Sequence, residues 1–402
     1  MDLKSKFFPK TLIQKMVFTF IIMAIYLIGR ELPLYGVDLA AYDAFRNQGE
    51  DLIMQTIGGD RYKTSLLALG ISPFMFSMLF VQVFVAMKNA DSKNQTSPKK
   101  VAKATLFLMT IWASVQAYLQ TQSTIYIYEG RMLIFAQIIS GIQMVTGAFV
   151  ILWLATRNGK YGVGGQTVLI FVNILDSIVN TVKYSDFDEI KIIGSIVLAA
   201  MVVTIIFENS EYRIPMQRIS IHNIYSDKNY IPIKLNPIGM MPVMFSSAFF
   251  MLPVYGLMGL CMAFPDDVNL AWAYDNMNTT HTLGIIVYVV ILYMVTIAFS
   301  FVFISPKSLA ENMQKTGDSI TGLRSGKNTQ KFIGRRVLII SVFSASFMAI
   351  FIALPLFLQM RGYISQDVMS LPSIMIALAS INCNLYREIV AVRDYDAYVP
   401  FI

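Results

Sequence analysis

The sequence predicts an all-α polytopic membrane protein, with about ten transmembrane helices in two five-helix halves of opposite orientation. Composition comes first: hydrophobic residues make up 55% of the chain and charged residues 14%, and mean hydropathy is +0.57. Apolar runs of roughly 20 residues, the length a helix needs to cross a bilayer, recur from one end to the other. Two distant stretches also say nearly the same thing. Leu69-Gly-Ile-Ser-Pro-Phe-Met-Phe-Ser-Met-Leu-Phe80 and Ile238-Gly-Met-Met-Pro-Val-Met-Phe-Ser-Ser-Ala-Phe249 agree at Gly, Pro, Met, Phe, Ser and the final Phe.

The spans fall near 12–29, 69–87, 101–120, 131–155, 167–182, 192–207, 239–263, 284–304, 336–358 and 370–390. The first follows Lys4, Lys6, Lys10 and Lys15 without a small-residue cleavage site, so it reads as a span and not as a cleaved signal. Spans two and seven open on the repeated motif, whose Gly and Pro let a helix break or bend at membrane depth. The step from the second span to the seventh is odd, so they run in opposite directions. Residues 1–207 then hold spans one to five together with span six, which opens the second half at 192; 208–238 form a cytoplasmic loop, and 239–402 carry spans seven to ten. Inverted repeats with interrupted helices at matching places put a pathway at the interface of the halves.

Most of the 32 Lys and Arg fall in alternate loops, which orients both termini to the cytoplasm. The acids Asp38, Asp43, Glu50, Asp51, Asp186, Asp188, Glu189, Asp266 and Asp267 lie on the outer side. The net charge of +7 is therefore a polarity across the membrane and no argument for nucleic acid. Cys261 and Cys383 sit in or at the edge of spans, and His222 and His281 lie on opposite sides, so neither a disulfide framework nor a metal site is expected. Gly162-Val-Gly-Gly165 lacks the strand before it and the Lys-Ser/Thr after it that a phosphate loop needs. No nucleophile with a base, no paired carboxylates and no cofactor cradle survives the topology, so no enzyme is expected.

In order along the chain come Ile25-Tyr-Leu-Ile-Gly-Arg-Glu-Leu-Pro-Leu-Tyr-Gly36, Leu67-Ala-Leu-Gly-Ile-Ser-Pro-Phe74, Tyr161-Gly-Val-Gly-Gly-Gln166, Arg213-Ile-Pro-Met-Gln217 and Ile231-Pro-Ile-Lys-Leu-Asn-Pro237. They are followed by Ser305-Pro-Lys-Ser-Leu-Ala-Glu-Asn-Met-Gln-Lys-Thr-Gly317 and Gly322-Leu-Arg-Ser-Gly-Lys-Asn-Thr-Gln-Lys331. On these motifs the chain resembles the SecY family of bacterial protein-conducting channels over nearly its whole length. The resemblance implies a clamshell of two halves around an hourglass pore that opens across the membrane and sideways.

Carried over residue by residue, the resemblance implies a pore constriction of Ile71, Met75 and Leu79 from the second span, Ile170 and Ile174 from the fifth, Met244 from the seventh and Leu378 from the tenth. It implies a lateral gate at Pro73, Phe76, Ser77, Pro242, Phe245 and Ser246. An apolar collar seals against water and ions yet gives a moving polypeptide little to bind, and flexible Met suits such a gasket; ordinary helix packing is the other reading of each Met. Asn173, Asp176 and Asn180 form a polar row on the fifth span that reads as lining an outer aqueous funnel, or as headgroup-level residues. Residues 51–64 take the position of the family's plug through Leu52, Ile53, Met54 and Ile57, or else form an ordered outer loop.

The cytoplasmic loops 208–238 and 305–335 are rich in cations. The resemblance makes Arg213, Arg218, Lys315, Arg324, Lys327 and Lys331 a docking surface for a SecA-type ATPase. It also implies a SecE-type and possibly a SecG-type small subunit, an exported polypeptide and the lipid bilayer as partners, in the bacterial cytoplasmic membrane. Departures are Gly162-Val-Gly-Gly-Gln166 before span five, a loop after Arg213-Ile-Pro short of the usual basic and glycine residues, and an apolar Tyr398-Val-Pro-Phe-Ile402 end. These point to an accessory SecY of Gram-positive bacteria, which the family implies is dedicated to serine-rich glycosylated adhesins. A divergent housekeeping SecY, or an ion-coupled secondary transporter, is the alternative.

Overall fold

The computed structural model describes residues 10–38, 65–91, 97–185, 187–217, 229–264, 267–320, 322–323 and 326–397. In chain order the elements are α1 (Lys10–Arg30), α2 (Ser72–Asp91), α3 (Pro98–Ser123), α4 (Arg131–Tyr161), α5 (Thr167–Tyr184) and α6 (Phe187–Asn209). Next come β1 (Glu211–Gln217), β2 (Tyr230–Lys234), α7 (Met241–Ala263), α8 (Val268–Asn276), α9 (Thr282–Ile304), α10 (Pro306–Thr316) and β3 (Ser319–Ile320). The chain continues through α11 (Lys327–Met360), α12 (Gln366–Met369) and α13 (Leu371–Ala397). Every stretch read as a span corresponds to a helix. Among the described residues, six helices are long and apolar enough to cross a membrane by length and composition.

The chain divides into two compact units, one of Met1–Tyr184 with Ile381–Ile402 and one of Ser185–Ser380. In the first, α1 packs on α4 and α5, while α2 packs on α3 and α3 on α4. Its core joins Leu34, Val37 and Leu69 to Met109, Ala113, Ala117, Met144 and Ala148. Small residues on facing helices let backbones approach, the usual means of packing where lipid is as apolar as the interface. Beyond α1 the chain is pinned at both edges: Leu66 N donates to Leu32 O (2.8 Å), and Ile127 N to Gly36 O (3.0 Å). Gly147 of α4 lies against this turn, where an added Cβ would overlap the Leu66 carbonyl oxygen.

Within the second unit, α9 runs along α11, α7 packs on α9, and α10 lies on α11. Phe207 near the end of α6 stacks on Phe343 and Phe347 of α11, with ring centroids 5.3 and 4.7 Å apart. The two stretches read only as cytoplasmic loops hold an antiparallel sheet of order β2-β1-β3. Glu211 pairs with Lys234 through to Pro215 with Tyr230, and β3 meets only Met216 and Gln217. Pro215 thus stands just before the β3 ladder begins, where its missing N–H costs that ladder nothing. Alternate residues of β1 turn inward, and Ile214 joins Ile233, Met313, Ile320, Ile333, Val337 and Ile340 in one apolar cluster. Both loops and the start of α11 therefore form one packed module.

Candidate functional site

The repeat is structural as well as sequential. Gly70 and Gly239 both take positive φ, 57° and 67°, a backbone conformation that suits glycine. Each is followed by a short turn into a helix whose second residue is proline, Pro73 in α2 and Pro242 in α7, a position where the absent N–H would be unpaired anyway. In each helix the Met three residues after the first closes the opening turn: Met75 N donates to Ile71 O (3.2 Å) and Met244 N to Met240 O (3.4 Å).

Both copies also brace themselves alike. Ser77 Oγ donates to Pro73 O at 2.7 Å and Ser246 Oγ to Val243 O at 2.9 Å, each returning a hydroxyl to its own helix. Phe76 leans on Trp112 of α3 with centroids 5.7 Å apart, and its counterpart Phe245 stacks on Phe299 of α9 at 5.1 Å. Ser246 and Ser247 also approach the Tyr288 hydroxyl of α9 at 3.3 and 3.4 Å. The six residues read as gate positions thus occupy the first two turns of two equivalently built helices. Pro73, Ser77, Pro242, Phe245 and Ser246 are buried, and Phe76 is half-buried.

Of the residues read as the constriction, Ile71, Met75 and Leu79 follow one another at four-residue spacing and so share a stripe in the first unit. They are 2–3% exposed. Ile170 and Ile174, one turn apart on α5, are each 1% exposed, as is Met244 in the second unit. Leu378 on α13 is half-buried. The plug candidates Leu52, Ile53, Met54 and Ile57 lie outside the described residues.

Two members of the polar row on α5 have partners on α1. Asn173 is buried and its Oδ1 accepts from Tyr26 Oη at 2.8 Å. Asp176 pairs with Arg30 Nη2 at 2.9 Å, and the Arg30 side chain is only 4% exposed. This face of α5 is satisfied by α1, as a charge at membrane depth must be. Nearby, the Gly162–Gly165 turn is tied down rather than open. Asn158 Nδ2 donates to Val163 O and Gly165 O, Val163 N donates to Thr19 Oγ1, and Gly164 N donates to Glu388 Oε1.

A second polar knot, not anticipated from the sequence, sits at the end of α6. Glu208 is 1% exposed. Its Oε1 accepts from Ser380 Oγ at 2.7 Å and from Asn236 Nδ2 at 3.2 Å, while Ser344 Oγ donates to Asn236 Oδ1 at 3.3 Å. Asn236 Nδ2 also reaches Gly239 O at 3.3 Å, so the knot holds the very turn that launches α7. The sequence clue was an acid at the edge of an apolar run; the Asn236-Pro-Ile-Gly239 turn that meets it lies 28 residues further on.

Of the cations read as a docking surface, Arg213, Lys315, Lys327 and Lys331 lie on or beside the three-stranded module, and all four are exposed. Arg213 lies over the Tyr230 ring at 4.6 Å. Arg218 and Arg324 lie outside the described residues.

The SecY family model matches residues 65–382, from the turn before α2 into α13. This chain belongs to the SecY family. Curated SecY relatives include an accessory Sec system protein translocase subunit SecY2 from Streptococcus agalactiae, 28% identical over 405 residues that cover 99% of this chain and 98% of the relative. A subunit of the same name from Leuconostoc gelidum is 29% identical and covers 86% of each chain. Among solved structures, a protein-conducting channel aligns with TM-score 0.67 and 17% identity over 97% of this chain and 95% of its own. Sec61 from a canine ribosome–channel complex aligns with TM-score 0.60 and 16% identity over the same shares. The fold is therefore that of SecY, and the protein is a multi-pass membrane protein.

Proposed function

We propose that this protein is the channel subunit of an accessory Sec translocase in the bacterial cytoplasmic membrane, both termini cytoplasmic, passing unfolded secreted polypeptides outward. One observation carries the reading: α2 and α7 start alike, each on a positive-φ glycine and a second-position proline, and each buries a methionine at the same place. Met75 and Met244, with Ile71, Leu79, Ile170, Ile174 and Leu378, supply an apolar collar. Such a collar excludes water and ions by dewetting. Its flexible thioethers adapt to whichever side chain passes. Pro73, Phe76, Ser77, Pro242, Phe245 and Ser246 form the lateral gate, and Leu52, Ile53, Met54 and Ile57 supply a plug.

Energy for transport comes from a SecA-type ATPase seated on the basic module through Arg213, Arg218, Lys315, Arg324, Lys327 and Lys331. The module supports this role because its two loops share one apolar core, which holds cations from distant parts of the chain on a common scaffold. A SecE-type subunit, with or without a SecG-type one, completes the complex. Similarity to accessory SecY2 proteins supports the accessory role, and the dedicated cargo of serine-rich glycosylated adhesins is what the family resemblance implies.

The test is crosslinking of a stalled export substrate to single cysteines at Met75, Ile174 and Met244, after Cys261 and Cys383 are replaced. Adducts at all three are expected, and adducts only at outer-loop controls would remove the channel assignment. Deletion of the gene should deplete one or a few surface proteins; a general secretion defect would make this a housekeeping channel instead.

A further inference from the structure

Beside β1, on the unit Ser185–Ser380, a groove of about 190 Å³ is lined by Tyr212, Leu235, Arg336, Ile339, Ile340 and Phe343. Its two ends differ in chemistry. Arg336 stands at one end, where the basic opening of α11, with Lys327, Lys331, Arg335 and Arg336, gives way to the apolar run from Val337 onward. A helix changes character in this way at the level where headgroups meet acyl chains. Toward the other end the wall is aliphatic and aromatic, and it is left open: Ile339 is 50% and Phe343 57% exposed.

Arg336 is held in place without being neutralised. Its guanidinium lies 5.6 Å from the centroid of the Tyr212 ring and 5.2 Å from that of Phe332. Contact with two rings orients the planar fork and shields it from water while leaving its N–H donors available. Among the described residues no carboxylate pairs with it. A preoriented, uncompensated guanidinium fits a phosphate, which it can hold through two parallel hydrogen bonds. A groove with that cation at one end and open apolar walls below fits a molecule that carries a phosphate and a hydrocarbon chain together.

We propose that this groove is a binding site for one anionic glycerophospholipid, with the phosphate on Arg336 beside Tyr212 and an acyl chain lying along Ile339 and Phe343. The site would tie the three-stranded module to the membrane surface by way of a lipid. It depends on the protein being embedded in a bilayer and is independent of the export reading, so failure of one leaves the other standing.

The experiment is native mass spectrometry of the detergent-purified full chain, titrated with phosphatidylglycerol or with phosphatidylcholine of the same acyl chains. The wild type should retain the first phosphatidylglycerol over phosphatidylcholine by on the order of fivefold, the discrimination that one surface cation supplies. Arg336→Gln should abolish that preference and Arg336→Lys should keep part of it. Arg335→Gln removes the same charge from the neighbouring position and should leave the preference intact. Phe343→Ala should lower retention of both lipids equally. A wild type that shows no preference overturns the proposal, and so does an Arg335→Gln protein that loses as much as Arg336→Gln, since the attraction would then be diffuse charge.

Discussion

Arg30 and Asp176 form one ion pair with unequal stakes. The arginine is 4% exposed and the aspartate 32%, so the carboxylate can regain water if its partner goes, and the guanidinium cannot. Asp176→Ala should therefore destabilise the protein, by up to about 3 kcal/mol, the upper end being the penalty for breaking a buried pair, while the Tyr26 ring still faces the guanidinium. Arg30→Met, which fills the space with an apolar side chain, should cost clearly less. Thermal unfolding in detergent reads the difference, and equal losses would show that stranding the buried cation does not set the cost. The sequence carried half of this. The spacing of Asn173 and Asp176 places them on adjoining faces of one helix, but nothing local says that Tyr26 and Arg30, 147 and 146 residues away, fill those faces.

Elements were legible wherever their signal was local. A run of apolar residues announces a helix by itself, and each such run became one, six of them among the described residues long and apolar enough to cross a membrane. The sheet was not legible, because β1, β2 and β3 are 7, 5 and 2 residues long and β3 lies far along the chain from the strand it pairs with. Prolines at 215 and 232 also count against strands, yet both sit in the β1–β2 ladder, Pro215 opposite Tyr230 and Pro232 opposite Arg213. The Glu208 knot escaped for the same reason, its hydrogen-bond partners coming from Asn236 and Ser380. Because it joins α6, the turn before α7 and α13, its loss should be felt across elements. Glu208→Ala leaves the Asn236 amide and the Ser380 hydroxyl without their shared acceptor, at about 1–3 kcal/mol for each buried group. Glu208→Gln keeps a carbonyl oxygen there and should cost less. Identical melting temperatures for the two variants would contradict that account.

For the molecule as a whole, the repeated motif and the ordered set of loop signatures sufficed to predict the SecY fold, which the family model over residues 65–382 bears out. What no motif conveys is how deeply these positions are buried. Met75 and Met244 are 3% and 1% exposed, and a carboxylate at either would have to draw in water or remain protonated. Met75→Asp and Met244→Asp should each raise ion leak through vesicles that hold the resting protein. Leak indistinguishable from wild type would take both methionines out of the seal.

The pairing of β1 with β2 reaches beyond stability. Residues 218–228 connect two strands that are already clasped from Glu211–Lys234 to Pro215–Tyr230, and β1 is gripped on its far edge by β3 as well. Severing the chain inside that connection would leave the new ends stitched to the same sheet, so a fluorescent reporter or a split tag could be spliced in there while the flanking polypeptide stays in register.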